Sequence, residues 1–190
     1  MAPPLISAML AVAPHLVIQM NEHAMRVAVQ GRDESMLRCI DAGLELEYRF
    51  EVETCRKRSF WFDSCGGVKE QITTLRYEPV SDVYIVWRDI IGDKEKPWAT
   101  RFMSAEDGLA EASVSHPADY RFLADGDERL EAGDRRYARA RASTRCKEER
   151  DQILDRVTEG LTFGLVKPDH FDSGWKEKKF QEGIDQFKRG

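Results

Sequence analysis

The feature of this sequence that most constrains its fold is the alternating run LELEYRFEVET at residues 44–54. Apolar and aromatic residues fill every second position from Leu44 to Val52, and charged residues, four of them glutamates, fill the positions between. Because successive side chains of a β-strand point to opposite faces, the run predicts a strand with one apolar and one acidic face. The acidic face carries Glu45, Glu47, Glu51 and Glu53, which need water, a partner or another segment of the chain beside them.

A second alternating run, RRYARARASTR at residues 135–145, is the basic counterpart of the first. Alanines and a threonine occupy one face, and the other face carries Tyr137, Arg139, Arg141 and Arg145. Opposite charges on neighbouring strands contribute roughly 0.2–1 kcal/mol per pair, whereas like charges directly opposite are unfavourable. We therefore predict that the two strands are neighbours in one sheet, with their charged rows side by side on its outer face. The alternative is an acidic row that is free to receive a basic partner.

Hydrophobic periodicity predicts further strands and two short helices. Strand patterns occur at residues 16–20, 23–30, 68–78, 82–91 and 98–104. Helical patterns follow the candidate caps Asp33 and Ser104, and Gly43 is placed to end the first helix. From this order we predict a mainly β fold, namely an antiparallel β-sandwich over residues 15–147 with two short helical insertions.

Residues 148–190 are predicted to form a helical C-terminal extension. Within it, Phe180, Ile184 and Phe187 form a narrow apolar stripe on a basic tail. A helix this short is marginal on its own in water, so we expect the stripe to dock onto another surface, on this chain or on a partner. A membrane surface is the alternative binding target for this tail.

Bulk composition excludes some classes of protein. The net charge of −5 argues against general nucleic-acid binding. No apolar run reaches the roughly 20 residues that a membrane-spanning helix needs. Residues 1–14 are an apolar segment without the basic start of a secretory signal, and both a signal remnant and an ordinary N-terminus fit this pattern.

The four cysteines, Cys39, Cys55, Cys65 and Cys146, form no CxxC motif and show no zinc-type spacing. An even count would permit disulfides in an oxidising compartment, but spacing alone does not give the connectivity. Cys55 and Cys65 flank an aromatic loop and could close it. The favoured prediction is nevertheless that two or more of the cysteines are free buried thiols.

Several segments, taken in order, resemble a known family. They are SMLRCIDAGLELEYRFEVE, the loop SFWF, TTLRYEPVSDVYIVW, TRFMSAEDGLAEA and RRYARARAS. Their order, over roughly residues 15–147, is similar to that of domain-of-unknown-function family four-three-nine-zero, uncharacterised proteins of Gram-negative envelopes. The resemblance implies a periplasmic or envelope-associated protein, with a cytoplasmic location as the alternative. It implies no activity and supplies no site residues.

The best candidate for a functional surface is the loop KRSFWFDSCGG, residues 57–67. Its three successive aromatics, Phe60, Trp61 and Phe62, cannot all point to one face of a strand, and exposed aromatics on a loop are typical of interaction surfaces. We predict that Trp61 is exposed and contacts a partner; the alternative is that the aromatics plug one end of the sandwich. The histidines are scattered and neither GxSxG nor a phosphate loop is present, so we predict no catalytic, cofactor or metal-binding residues.

These features predict a non-catalytic, envelope-associated binding or assembly module with a protein partner or complex. Two alternatives stay open: an enzyme that uses a cysteine and a histidine brought together by the fold, and a structural subunit of a larger complex. An enzyme needs a nucleophile within hydrogen-bond reach of a base in a concave pocket, whereas an adaptor needs only an exposed apolar or aromatic patch. The residues do not identify a small-molecule ligand.

Overall fold

The computed structural model describes residues 13–20, 24–32, 34–57, 62–92, 96–119, 135–147 and 171–179. Its elements, in chain order, are β1 (His15–Met20), β2 (Ala24–Gln30), α1 (Glu34–Asp41), β3 (Glu45–Lys57), β4 (Ser64–Cys65), β5 (Lys69–Glu78), β6 (Val83–Ile91), β7 (Trp98–Phe102), α2 (Ala105–Ala112), β8 (Ala118–Asp119), β9 (Arg135–Lys147), β10 (Phe171–Asp172) and β11 (Lys176–Lys179). Neither described helix is long and apolar enough to cross a membrane.

The strands form a small and a large sheet. The small sheet has the order β1-β2-β8, and the large sheet has the order β10-β9-β3-β5-β6-β7, with β11 also paired to β9 and β4 to β3. Every strand pairing among the described residues is antiparallel. The prediction of a mainly β, antiparallel fold with two short helices is confirmed.

The core lies between one face of the large sheet and the elements packed on it. Both helices and the β1–β2 hairpin contribute to the same buried cluster as the inward side chains of the large sheet. Tyr48 and Phe50 of β3 are almost fully buried there. The predicted alanine face of β9 is buried too, and its small side chains allow close packing against the small sheet.

Helix α2 begins as the sequence predicts, at a capping serine. The backbone N–H of Asp107 donates to Ser104 Oγ at 3.1 Å, which satisfies a donor that the first turn leaves free. Gly108 lies against β5 and β6, because a Cβ there would come within 3.0 Å of Leu75 Cδ1. The buried Arg88 of β6 donates to the carbonyl oxygen of Glu111 at 2.6 Å, which ties the end of α2 to the sheet.

The predicted pairing of the acidic and basic strands is confirmed. In the β3–β9 register, Glu47 faces Arg145, Glu51 faces Arg141 and Glu53 faces Arg139. Arg145 Nε donates to Glu47 Oε1 at 2.8 Å, and Arg139 Nε donates to Glu53. The row is more enclosed than a solvated outer face, because Glu47 is 2% exposed and Glu53 is 3% exposed.

The prediction of free thiols is wrong, because all four cysteines are in disulfides. Cys39 of α1 is bonded to Cys146 near the end of β9, across 107 residues of sequence. Cys55 of β3 is bonded to Cys65 of β4, its direct partner in the hairpin register. The alternative that Cys55 and Cys65 close their loop is therefore correct. The spacing of the cysteines could not show the Cys39–Cys146 bond, since the packing of a helix on the sheet brings those sulfurs together.

The prediction of a helical C-terminal extension is wrong for residues 171–172 and 176–179, which are strands β10 and β11 on the edge of the large sheet. Backbone pairing with β9 makes both segments strands. Arg141 Nε donates to Asp172 Oδ1 at 2.9 Å, and this hydrogen bond holds the pKa of Asp172 below its usual range. Residues 1–12, 148–170 and 180–190 lie outside the described residues, as do the predictions made for them.

Candidate functional site

The candidate site is the aromatic hairpin, by which we mean the described residues 55–57 and 62–65 at the end of β3 and in β4. Strand β3 reverses into β4, so that Arg56 faces Ser64 and Cys55 faces Cys65. The Cys55–Cys65 disulfide closes the hairpin at its base. Phe62, which precedes β4, is 96% exposed and therefore stands clear of the sheet.

A hydrogen bond from Tyr137 of β9 holds Asp63, the residue after Phe62, in place. Tyr137, which faces Cys55 across the β3–β9 ladder, donates its hydroxyl to Asp63 Oδ2 at 2.7 Å. Burial of the Tyr137 ring and this hydrogen bond raise its pKa to about 12, so the hydroxyl keeps its proton at physiological pH. The exposed Phe62 is therefore followed directly by Asp63, which this hydrogen bond holds in place.

A second aromatic side chain lies beside the base of the hairpin. The guanidinium of Arg139 is 4.8 Å from the ring centroid of Trp175, in the turn between β10 and β11. Arg139 also pairs with Glu53 of β3, so one cation connects the tryptophan with the buried carboxylate. Trp175 remains 36% exposed. Sequence reasoning did not select Trp175, because only the pairing of β10 and β11 with β9 brings it here.

Three potential metal ligands lie close together in the described part of the site, but two of them are sulfurs that already form a disulfide. A carboxylate oxygen of Glu53 and the sulfurs of Cys55 and Cys65 lie within 4.8 Å of one another. The two sulfurs are bonded to each other, which removes the thiolates that a metal would need. Arg139 also occupies the carboxylate of Glu53. The disulfide and the ion pair of this cluster therefore have a structural role.

A second exposed region lies on the outer face of β5 and β6, at the opposite end of the large sheet. Trp87, which is 49% exposed, borders a shallow depression of about 320 Å³. The depression is lined by Glu45, Thr74, Arg76, Ile85 and Trp87. It combines an aromatic and an aliphatic side chain with a carboxylate and a guanidinium.

The predicted site residues divide into two groups. Phe62 is exposed at the hairpin, as the prediction requires. Phe60 and Trp61 lie outside the described residues, and so does the stripe of Phe180, Ile184 and Phe187. The exposure of Trp61 therefore stays a prediction.

No family model, curated protein or solved structure matches this chain. The resemblance to family four-three-nine-zero consequently stays a prediction.

Proposed function

We propose that this protein is a non-catalytic binding module and that the aromatic hairpin is its contact element. The observation that carries the proposal is the 96% exposure of Phe62 on a segment held by the Cys55–Cys65 disulfide and by the Tyr137–Asp63 hydrogen bond. Exposing a phenylalanine to water gives nothing to the fold, whereas a restrained apolar tip loses little conformational entropy on binding.

We also propose that the protein resides in an oxidising compartment, the periplasm or the envelope surface. Two disulfides that use all four cysteines support this location, because cytosolic thiols are normally kept reduced. We further propose that the two sheets pack as an antiparallel β-sandwich. The shared buried cluster supports this arrangement.

The disulfides also bear on the enzyme alternative. A cysteine–histidine mechanism needs a thiolate as the nucleophile, and each cysteine of this chain is bonded to another cysteine. The oxidised protein therefore lacks the nucleophile on which that alternative depends.

A structural subunit of a larger complex is the second candidate function. The depression around Trp87 favours it, since a half-exposed tryptophan beside polar side chains is typical of protein interfaces. In this second function the protein partner would cover the outer face of β5 and β6, and the hairpin would remain free.

The test uses affinity capture of the full-length protein from its own cells after chemical cross-linking. We compare Phe62→Ser with the matched control Val80→Ser, because Val80 is 92% exposed in the turn between β5 and β6, at the other end of the sheet. We expect Phe62→Ser to lose the captured material and Val80→Ser to retain it. Loss in a Trp87→Ser variant instead would favour the second function, and equal capture by all variants would refute both.

A further inference from the structure

Three neighbouring strands build the depression beside Trp87. Trp87 of β6 lies directly opposite Thr74 of β5, and Ile85 of β6 lies opposite Arg76. Glu45 of β3 completes the border. The positions next to these in the three strands belong to the buried core: Leu46, Leu75 and Val86. Because side chains alternate along a strand, the five lining side chains all project from the outer face of the large sheet.

The indole of Trp87 offers an apolar surface to a ligand. On the β7 side, Trp87 lies opposite Ala99, whose side chain is a single methyl group. Trp87 stays 49% exposed, although its strand lies between two others in the sheet. The exposed half of the ring contributes no burial to the fold. It is therefore free to cover the apolar face of a bound molecule.

The polar side chains of the depression balance in charge but are not hydrogen-bonded to each other. Arg76 Nη1 is 3.7 Å from Glu45 Oε1, which is longer than a hydrogen bond. A guanidinium supplies donors only, a carboxylate supplies acceptors only, and the Thr74 hydroxyl can do both. The depression thus presents donors and acceptors beside an aromatic ring, without a net charge.

This combination of groups selects among ligand classes. A charged ligand would meet one like charge for each opposite one, and a hydrocarbon would cover polar groups without pairing them. A sugar ring has C–H groups on its face and hydroxyls at its edge, and each hydroxyl both donates and accepts. The volume of about 320 Å³ suits a small ligand. A stable protein interface, by contrast, takes about 800 Å² from each partner and is depleted in glutamate.

We propose that the depression beside Trp87 binds a neutral saccharide. One sugar ring lies on the indole, and its hydroxyls form hydrogen bonds with the three polar side chains of the border, Glu45, Thr74 and Arg76. This inference goes beyond the proposed function, because the depression and the aromatic hairpin lie at opposite ends of the large sheet. Failure of either proposal therefore leaves the other standing.

The experiment is isothermal titration calorimetry of the oxidised full-length protein with three neutral tetrasaccharides. Maltotetraose presents α-linked glucose, cellotetraose presents β-linked glucose, and chitotetraose presents N-acetylglucosamine. We expect at least one of them to bind. Its affinity should change less than about twofold between about 0.05 and 0.5 M sodium chloride, because salt does not screen contacts with an uncharged ligand. Binding of none of the three would overturn the proposal.

Two variants test the assigned contacts. Trp87→Ser should weaken binding about tenfold or more, because the sugar loses the ring that covers its apolar face. Thr74→Val should weaken binding about threefold to tenfold, the contribution of one hydrogen bond. Since Thr74→Val keeps the size of the side chain, it tests the site even if Trp87→Ser lowers the stability of the protein.

Matched controls show whether the losses belong to the depression. Ile91→Ser removes an apolar side chain that is 44% exposed on the same face of β6. Thr100→Val removes an exposed hydroxyl from β7. Both controls should bind the tetrasaccharide like the parent protein. Equal losses in the controls would overturn the proposal, since binding would then not depend on the lining residues.

Two further outcomes would assign the depression to another ligand class. If no tetrasaccharide binds while Trp87→Ser loses protein captured from cells, the depression is a protein interface and the saccharide inference is wrong. If the protein binds only polygalacturonate, and more weakly as salt is raised, charge determines binding and the inference of a neutral ligand is wrong.

Discussion

The β3–β9 ladder has two parts with opposite electrostatic character. From Glu45 to Glu53, each glutamate of β3 faces a lysine or arginine of β9. At Arg56 and Lys57 the same two strands place cation against cation. The complementary part specifies which strands pair and in which register, whereas the register at Arg56 and Lys57 adds no such charge complementarity.

The two disulfides follow the same division. Cys146 lies in the complementary part, opposite Leu46, and its bond to Cys39 joins a helix to the sheet. Cys55 lies where the ladder becomes basic, opposite Tyr137, and its bond to Cys65 closes only the hairpin. One disulfide therefore restrains the whole fold, and the other restrains the site.

The largest expected effect comes from the Cys39–Cys146 bond. A disulfide restricts the unfolded chain more when it closes a longer loop, and this one spans 107 residues. The double variant Cys39→Ala, Cys146→Ala should lose about 4–5 kcal/mol of unfolding free energy, measured by urea denaturation. Capture of cellular material by the molecules that remain folded should be unchanged.

Removing the Cys55–Cys65 disulfide should lower the unfolding free energy less than removing the Cys39–Cys146 disulfide, but it should weaken binding more. The Cys55–Cys65 bond spans only 10 residues, so Cys55→Ala, Cys65→Ala should lose about 2–3 kcal/mol. The same variant should capture less cellular material, because the tip is no longer restrained. A stability loss larger than that of the Cys39–Cys146 variant would contradict the division of roles between the two bonds.

Within the complementary part, enclosed pairs should couple more strongly than exposed ones. Glu47 is 2% exposed and accepts from Arg145 at 2.8 Å, whereas Glu51 lies 3.8 Å from Arg141, which also binds Asp172. A double-mutant cycle on Glu47 and Arg145 should give about 1 kcal/mol or more, and one on Glu51 and Arg141 about 0–0.5 kcal/mol. Equal coupling at the two positions would show that enclosure has no influence here.

The parts of this molecule that were predictable from sequence are those with a periodic or charge-complementary pattern. Strands β3 and β9 could be paired in advance because Glu47 and Arg145 belong to rows of opposite charge. The Cys39–Cys146 bond could not be predicted, because nothing local connects a helix with a strand 107 residues away. Trp175 could not be placed either, since its position depends on the pairing of two short edge strands with β9.

The most direct test of the central claim, that the hairpin is the contact element, is site-specific photo-cross-linking in living cells. A photoreactive phenylalanine analogue is placed at position 62 and, in a matched protein, at position 80, the two sites being 96% and 92% exposed. The account predicts adducts from position 62 and none above background from position 80. Equal labelling from the two positions, or labelling from position 80 alone, would contradict it.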